Sequence, residues 1–205
     1  MPRRAFIAVL LPLAIAASCA REGPDEAAAR AAFAEFLGAL DRADAGALWA
    51  LADSGTRKYF DDLVAEVKEA QALVDKHYPE ADRGAAKRNL LGDLVSASTT
   101  GEMLFRALLD PARIAAPQDP DARAVDRVGA GPETVRVITA SGDTIEFVRE
   151  PDGTCRTGVL LRAAMDVPAV ATLRQNLAAV KQNRDLIERT PPARDAPAPA
   201  TGVQP

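Results

Sequence analysis

The hydrophobic period of this chain changes from helical to alternating between residues 110 and 123. Before that stretch, apolar side chains recur at spacings of three and four; after it, they alternate with polar ones. One segment cannot keep both periods on a single buried face, so the first half is committed to helices and the next part to strands. From Asp25 to Asp41 the residues Ala29, Phe33, Phe36, Leu37 and Leu40 form one helical stripe, with Pro24 suited to its first turn and Asp25 and Glu26 complementing its dipole. Asp44 is placed to cap a short second helix carrying Leu48, Trp49 and Leu51. A third helix is expected over 56–78, with Phe60, Leu63, Val64, Val67, Ala70, Val74 and Tyr78 on one face and Pro79 as its stop. A fourth is expected over 83–95. A fifth should start at Thr99, in a capping box with Glu102, and stop at Asp110-Pro111.

Beyond the proline-bearing loop 110–123, Val135, Val137 and Thr139 alternate with Arg136 and Ile138, and Ile145 and Phe147 alternate with Glu146 and Val148. Ser141-Gly142-Asp143 and Pro151-Asp152-Gly153 read as compact turns, so 133–161 is expected to be an antiparallel meander, with a further strand over 123–128. A last helix should run over 166–189, with Val170, Leu173, Leu177, Val180 and Ile187 on its apolar face. The fold class is therefore α+β: helices at 24–110 packed on a curved meander at 123–161, then a long C-terminal helix, in one domain spanning 24–190. Residues 191–205 are rich in proline and alanine, and disorder is expected there. There is no internal repeat.

The N-terminal residues have a different character. Arg3 and Arg4 precede Ala5 to Ala17, which are uncharged and mostly apolar. About twenty such residues are needed to span a bilayer, and this run contains Pro12, so it reads as a secretory signal. It ends in Ala16-Ala17-Ser18-Cys19, which resembles the lipobox of bacterial lipoproteins, with Ala16 where that family usually has Leu. The resemblance implies removal of residues 1–18, lipidation of Cys19, a tether at 19–23, and a partner in the membrane itself. Several acyl chains hold a protein on a bilayer where one would not. Ala20 after the cysteine points, in some lineages, to the outer membrane facing the periplasm. An ordinary cut after Ala16 is the alternative, leaving Cys19 free to pair with Cys155, the second of two cysteines. Arg3-Arg4-Ala5-Phe6-Ile7 also partly resembles a twin-arginine signal.

Two quoted stretches, PDEAAARAAFAEFLGALDRADAGALWALAD and ETVRVITASGDTIEFVREPDGTCRTGVLL, resemble lipoprotein members of the nuclear transport factor 2-like superfamily. That resemblance implies a curved sheet wrapped over helices into a cone. Enzymes of the cone fold use a carboxylate whose pKa is raised in an apolar pocket. Here Glu35, Asp93 and Glu146 have apolar neighbours, but their spacing points each to solvent.

Few other residues carry chemistry. Cys155 shares strand parity with Thr157, Val159 and Leu161 and is expected to be a buried thiol acting as a small hydrophobe. His77, the single histidine, is expected to meet free carbonyls at a helix end. One histidine without a serine in a nucleophile-elbow context does not build a catalytic triad, and one histidine among scattered carboxylates does not build a metal site. No cofactor is expected. The formal net charge is −4, and loss of Arg3 and Arg4 with the signal takes it to −6, which excludes nucleic acid as partner because phosphate neutralisation needs a basic cluster. The expectation is a membrane-anchored bacterial envelope lipoprotein with a non-catalytic binding domain and an envelope protein as partner. The alternatives are an isomerase-like or cyclase-like enzyme acting on an apolar small molecule, and an assembly factor that offers its last helix to another protein.

Overall fold

A computed structural model describes residues 23–109 and 117–189. The fold is α+β. The helices are α1 (Pro24–Asp41), α2 (Ala45–Leu51), α3 (Ser54–His77), α4 (Glu80–Asn89), α5 (Gly101–Leu108) and α6 (Pro120–Arg123). Strands β1 (Val125–Ala130), β2 (Thr134–Thr139), β3 (Thr144–Arg149) and β4 (Cys155–Arg156) follow, then α7 (Val159–Met165) and α8 (Pro168–Arg189). The strands pair antiparallel in chain order, β1-β2-β3-β4. Among the described residues no helix is long and apolar enough to cross a membrane. Cys19, the signal and the tail beyond 189 lie outside them.

Both later hairpins are built alike. Gly142 and Gly153 have φ of +88° and +82°, and each closes a three-residue loop: Thr139 N–H donates to Asp143 O at 2.9 Å, and Glu150 N–H to Thr154 O at 2.9 Å. The turns lie where the sequence puts them. Alternation then sends Val135, Val137 and Phe147 inward, all fully buried in one core with Ala29 and Phe33 of α1. The space between α1 and the sheet is filled by these side chains. On the far side of the core, Trp49, Phe60 and Phe105 join α2, α3 and α5, with ring centroids 5.2 Å apart for both Trp49–Phe105 and Phe60–Phe105. Leu173, Leu177 and Val180 of α8 are buried in the same core as Leu63, Val67 and Val74 of α3, and Val170 at the start of α8 is buried too. Four of the five residues expected on the apolar stripe of the last helix are thus buried within the chain, and the side chain of the fifth, Ile187, lies outside the described ones.

Several boundaries differ from expectation. The fourth helix stops at Asn89, not at 95. Gly92 N–H donates to Lys87 O at 2.8 Å and Leu91 N–H to Arg88 O at 3.1 Å, which closes a Schellman turn with Leu91 at φ +55°. The cap of α5 is Thr100, whose hydroxyl accepts from Met103 N–H at 3.3 Å. Thr99 is unavailable because its Oγ1 accepts from Ser96 N–H at 2.9 Å and donates to Leu94 O at 3.2 Å, bridging the preceding turn. Within the expected loop, Pro120–Arg123 forms α6; residues 110–116 lie outside the described ones. The strand expected over 123–128 occupies Val125–Ala130.

The largest difference concerns the end of the meander. β4 has only two residues, and Val159–Met165 is a helix rather than a continuing strand. At Thr157 the chain leaves β3 and makes a parallel bridge to Ala52, with Thr157 N–H donating to Leu51 O at 2.9 Å. Helical spacing then buries Leu160 and Ala164 in place of Val159 and Leu161.

Candidate functional site

The bridge at Thr157 creates a junction where the sheet meets the start of α3. Asp53 caps that helix: its Oδ1 accepts from Thr56 N–H at 2.8 Å and from the Thr56 hydroxyl at 2.5 Å. Asp53 N–H donates to Thr157 O at 3.3 Å, and Ser54 N–H donates to Glu150 Oε1 at 2.7 Å. Two of the amide groups at the start of α3 are therefore satisfied by carboxylates, one of them 96 positions away. Gly158 lies so close that a Cβ there would stand 2.8 Å from Asp53 Oδ2. The Thr157 hydroxyl donates to Glu146 O at 2.9 Å and accepts from Val159 N–H at 3.2 Å, which fixes the start of α7 over β3. Beside the junction, Arg57 Nη2 donates to Ala50 O at 2.9 Å, and burial pushes its guanidinium below the usual value.

Between α7, this junction and the outer face of the sheet lies a cleft of 390 Å³, lined by Asp53, Arg136, Thr144, Glu146, Val148 and Arg162 among others. The register explains its floor. Arg136 pairs with Glu146 and Ile138 with Thr144, so these side chains share the face opposite α1. Arg136 Nε lies 3.3 Å from Glu146 Oε1. Arg162, exposed on α7, has no ion-pair partner among the described residues. The cleft thus presents one bridged guanidinium, one open guanidinium, a hydroxyl and a short apolar wall. Such a surface can hold a polar or anionic group. Its two carboxylates are both engaged, Asp53 by Thr56 and Glu146 by Arg136.

The residues singled out in the sequence do not converge. Glu35 is exposed on α1 and borders two shallow grooves of 350 and 480 Å³ shared with Ala50 and Leu51 of α2. Asp93 is exposed in the turn after α4, and Glu146 is exposed at the outer-face cleft. Cys155 is buried on the packed side of β4, and burial, with Asp25 nearby, pushes its thiol pKa up. His77 is the last residue of α3, but its Nε2 is buried without a hydrogen-bond partner, so that nitrogen does not meet the helix-end carbonyls. No three metal-ligating side chains come together among the described residues. The junction itself escaped the sequence reading. Asp53-Ser54-Gly55-Thr56 carries an N-cap signal, whereas Glu150, Gly158 and Arg162 carry no local one.

Comparison with known protein families, with curated proteins and with solved structures finds no match for this chain.

Proposed function

We propose that this protein is a lipid-anchored envelope protein of bacteria, facing the periplasm from the outer membrane, whose folded domain binds a partner and catalyses no reaction. The anchor rests on Ala16-Ala17-Ser18-Cys19 at the end of a short apolar run, with α1 starting at Pro24 only five residues later. Five residues span at most about 18 Å when extended, so the domain would be held close to the lipid surface. The observation that carries the binding reading is the contrast between the two faces of the sheet. The face toward α1 is filled by Val135, Val137 and Phe147, while the other carries exposed Arg127, Arg136 and Glu146 beside an open cleft. A helix pair leading into a late meander also supports kinship with the nuclear transport factor 2-like superfamily. The test of the anchor is the intact mass of protein extracted from membranes. Cys19 as the first residue, carrying the acyl increment, is the expected result; a soluble product beginning at Ala17 with an unmodified Cys19 overturns it.

A further inference from the structure

The two edges of the sheet are unlike. β4 is two residues long, and the chain beyond it is bridged to Ala52, so that edge offers no strand-length template. β1 is the other edge. Which of its backbone groups face outward follows from three hydrogen bonds. Gly131 N–H donates to Thr134 O at 2.8 Å, which makes Gly131 and Thr134 a hydrogen-bonded pair. Such pairs alternate along an antiparallel ladder. The register Ala130↔Val135, Gly129↔Arg136, Val128↔Val137 and Arg127↔Ile138 then directs the backbone groups of Gly129 and Arg127 to β2. On the other side of β2, Arg149 N–H donates to Glu133 O and Thr139 N–H to Asp143 O, both at 2.9 Å, which independently sets the same phase. Val128 and Ala130 therefore present their N–H and C=O groups to the open side, where nothing among the described residues pairs with them. The register slip between Val125 and Arg127 limits the usable edge to about four residues.

We propose that β1 receives an extended, acidic segment of another protein as a fifth strand, and this rests on the reading of the domain as a binding module. The edge supplies the backbone ladder and the outer face supplies the charge preference. Arg127, Gly129 and Arg136 share that face, and Arg127 has no ion-pair partner among the described residues. A Cβ on Gly129 would meet nothing within 4 Å, and its φ is not positive, so neither packing nor conformation demands glycine there. What glycine leaves is bare strand backbone beside two guanidinium groups, open to close approach by an incoming chain. A second copy fits poorly. Antiparallel pairing of two β1 strands about Val128 sets Arg127 opposite Gly129 of the copy and beside the copy's Arg136, and like charges across a ladder repel. An acidic side chain at the same place is attracted by both arginines.

The test uses the full-length chain and two synthetic peptides, one alternating valine with glutamate and one alternating valine with lysine. Amide exchange is followed residue by residue. In the free protein the Val128 and Ala130 amides should exchange rapidly, while those of Arg127 and Gly129 are protected. The glutamate peptide should slow Val128 and Ala130 selectively, and the lysine peptide should bind about fivefold more weakly or worse. Arg127→Glu, an exposed substitution, should reverse that preference. Val128→Pro removes an outward donor and should abolish binding. Protection of Val128 and Ala130 in the free protein overturns the proposal, by self-association if it depends on protein concentration and by a covering segment of the same chain if it does not. Equal binding of both peptides, or protection by neither, also overturns it. The mass of Cys19 is unaffected by any of these outcomes, so the anchor reading fails or stands separately.

Discussion

Arg123 and Asp41 face each other fork to fork: Nη1 lies 2.9 Å from Oδ1 and Nη2 2.5 Å from Oδ2. The pair ties the last residue of α1 to the turn of α6 that leads into β1. A second pair, Asp25 Oδ2 and Arg149 Nη2 at 2.6 Å, holds the opposite end of α1 to β3. The helix beneath the sheet is thus fastened at both ends, across 82 and 124 positions of chain.

The hydrogen bonds from Arg123 hold the Asp41 carboxyl below the usual carboxylate range. A carboxylate depressed in the folded state adds stability above its unfolded pKa of about 4, and that contribution is lost as pH falls through the lower, folded value. Asp41→Asn should therefore lower the midpoint of thermal unfolding at neutral pH. The gap between variant and parent should narrow below about pH 4 and close in stronger acid. Melting curves across that range measure it; a gap that stays constant contradicts the linkage.

At the junction, Gly158→Ala would place a methyl group 2.8 Å from Asp53 Oδ2 and push the carboxylate off Thr56. The expected cost is about 1 kcal/mol, the usual loss on removing a helix N-cap. Because the damage acts through Asp53, the two substitutions should not add. In an Asp53→Ala background, Gly158→Ala should cost much less, as denaturant titration of the four proteins would reveal. Full additivity would mean that the glycine is needed for some other reason.

Cys155 combines burial with a raised pKa, so little thiolate forms at neutral pH and a reagent has poor access to what does. Labelling should be slow in the native protein and rapid once denaturant is added. Cys155→Ala should destabilise by about 1 kcal/mol through lost burial. Rapid native labelling would show that the thiol is reached from the groove beside α1.

The exposed carboxylates and the one that holds the start of α3 should part company on substitution. Replacement of Glu35, Asp93 or Glu146 by Ala should change stability by no more than about 0.5 kcal/mol, as at ordinary surface positions. Glu150→Ala removes the acceptor for Ser54 N–H and should cost about 1 kcal/mol. Chemical denaturation of the four variants separates them. A large loss at Glu146 would mean that its bridge to Arg136 contributes more than exposed pairs do.

Periodicity made the frame readable. Val135 and Val137 lie inward and Arg136 outward because a strand allows nothing else, and α3 runs from Ser54 to His77 because its stripe repeats from Thr56 to Val74 without interruption. The boundaries that differed were decided by contacts invisible to a local window. Val159-Leu160-Leu161 is apolar at three consecutive positions and fits either period; the bridge between Thr157 and Ala52 decided for helix. Leu91 takes a left-handed conformation usually left to glycine, so no residue type announced the end of α4. The outer-face cleft draws Asp53, Arg136 and Arg162 from three distant stretches, and no spacing rule connects them.

The chain-order pairing of β1, β2, β3 and β4 has a consequence for how the molecule assembles in time. Each strand meets the next across a loop of three to five residues, so the meander closes by short, fast steps. Docking α1 is a different event, because its first fastening spans the 82 positions from Asp41 to Arg123 and the closure entropy must be met before the buried face of α1 gives any return. Until then the inner face of the meander, with Val135, Val137 and Phe147, stands uncovered in water. A chain that crosses a membrane unfolded would face that interval on the far side, and a chaperone that shields one apolar sheet face is the assistance its topology calls for.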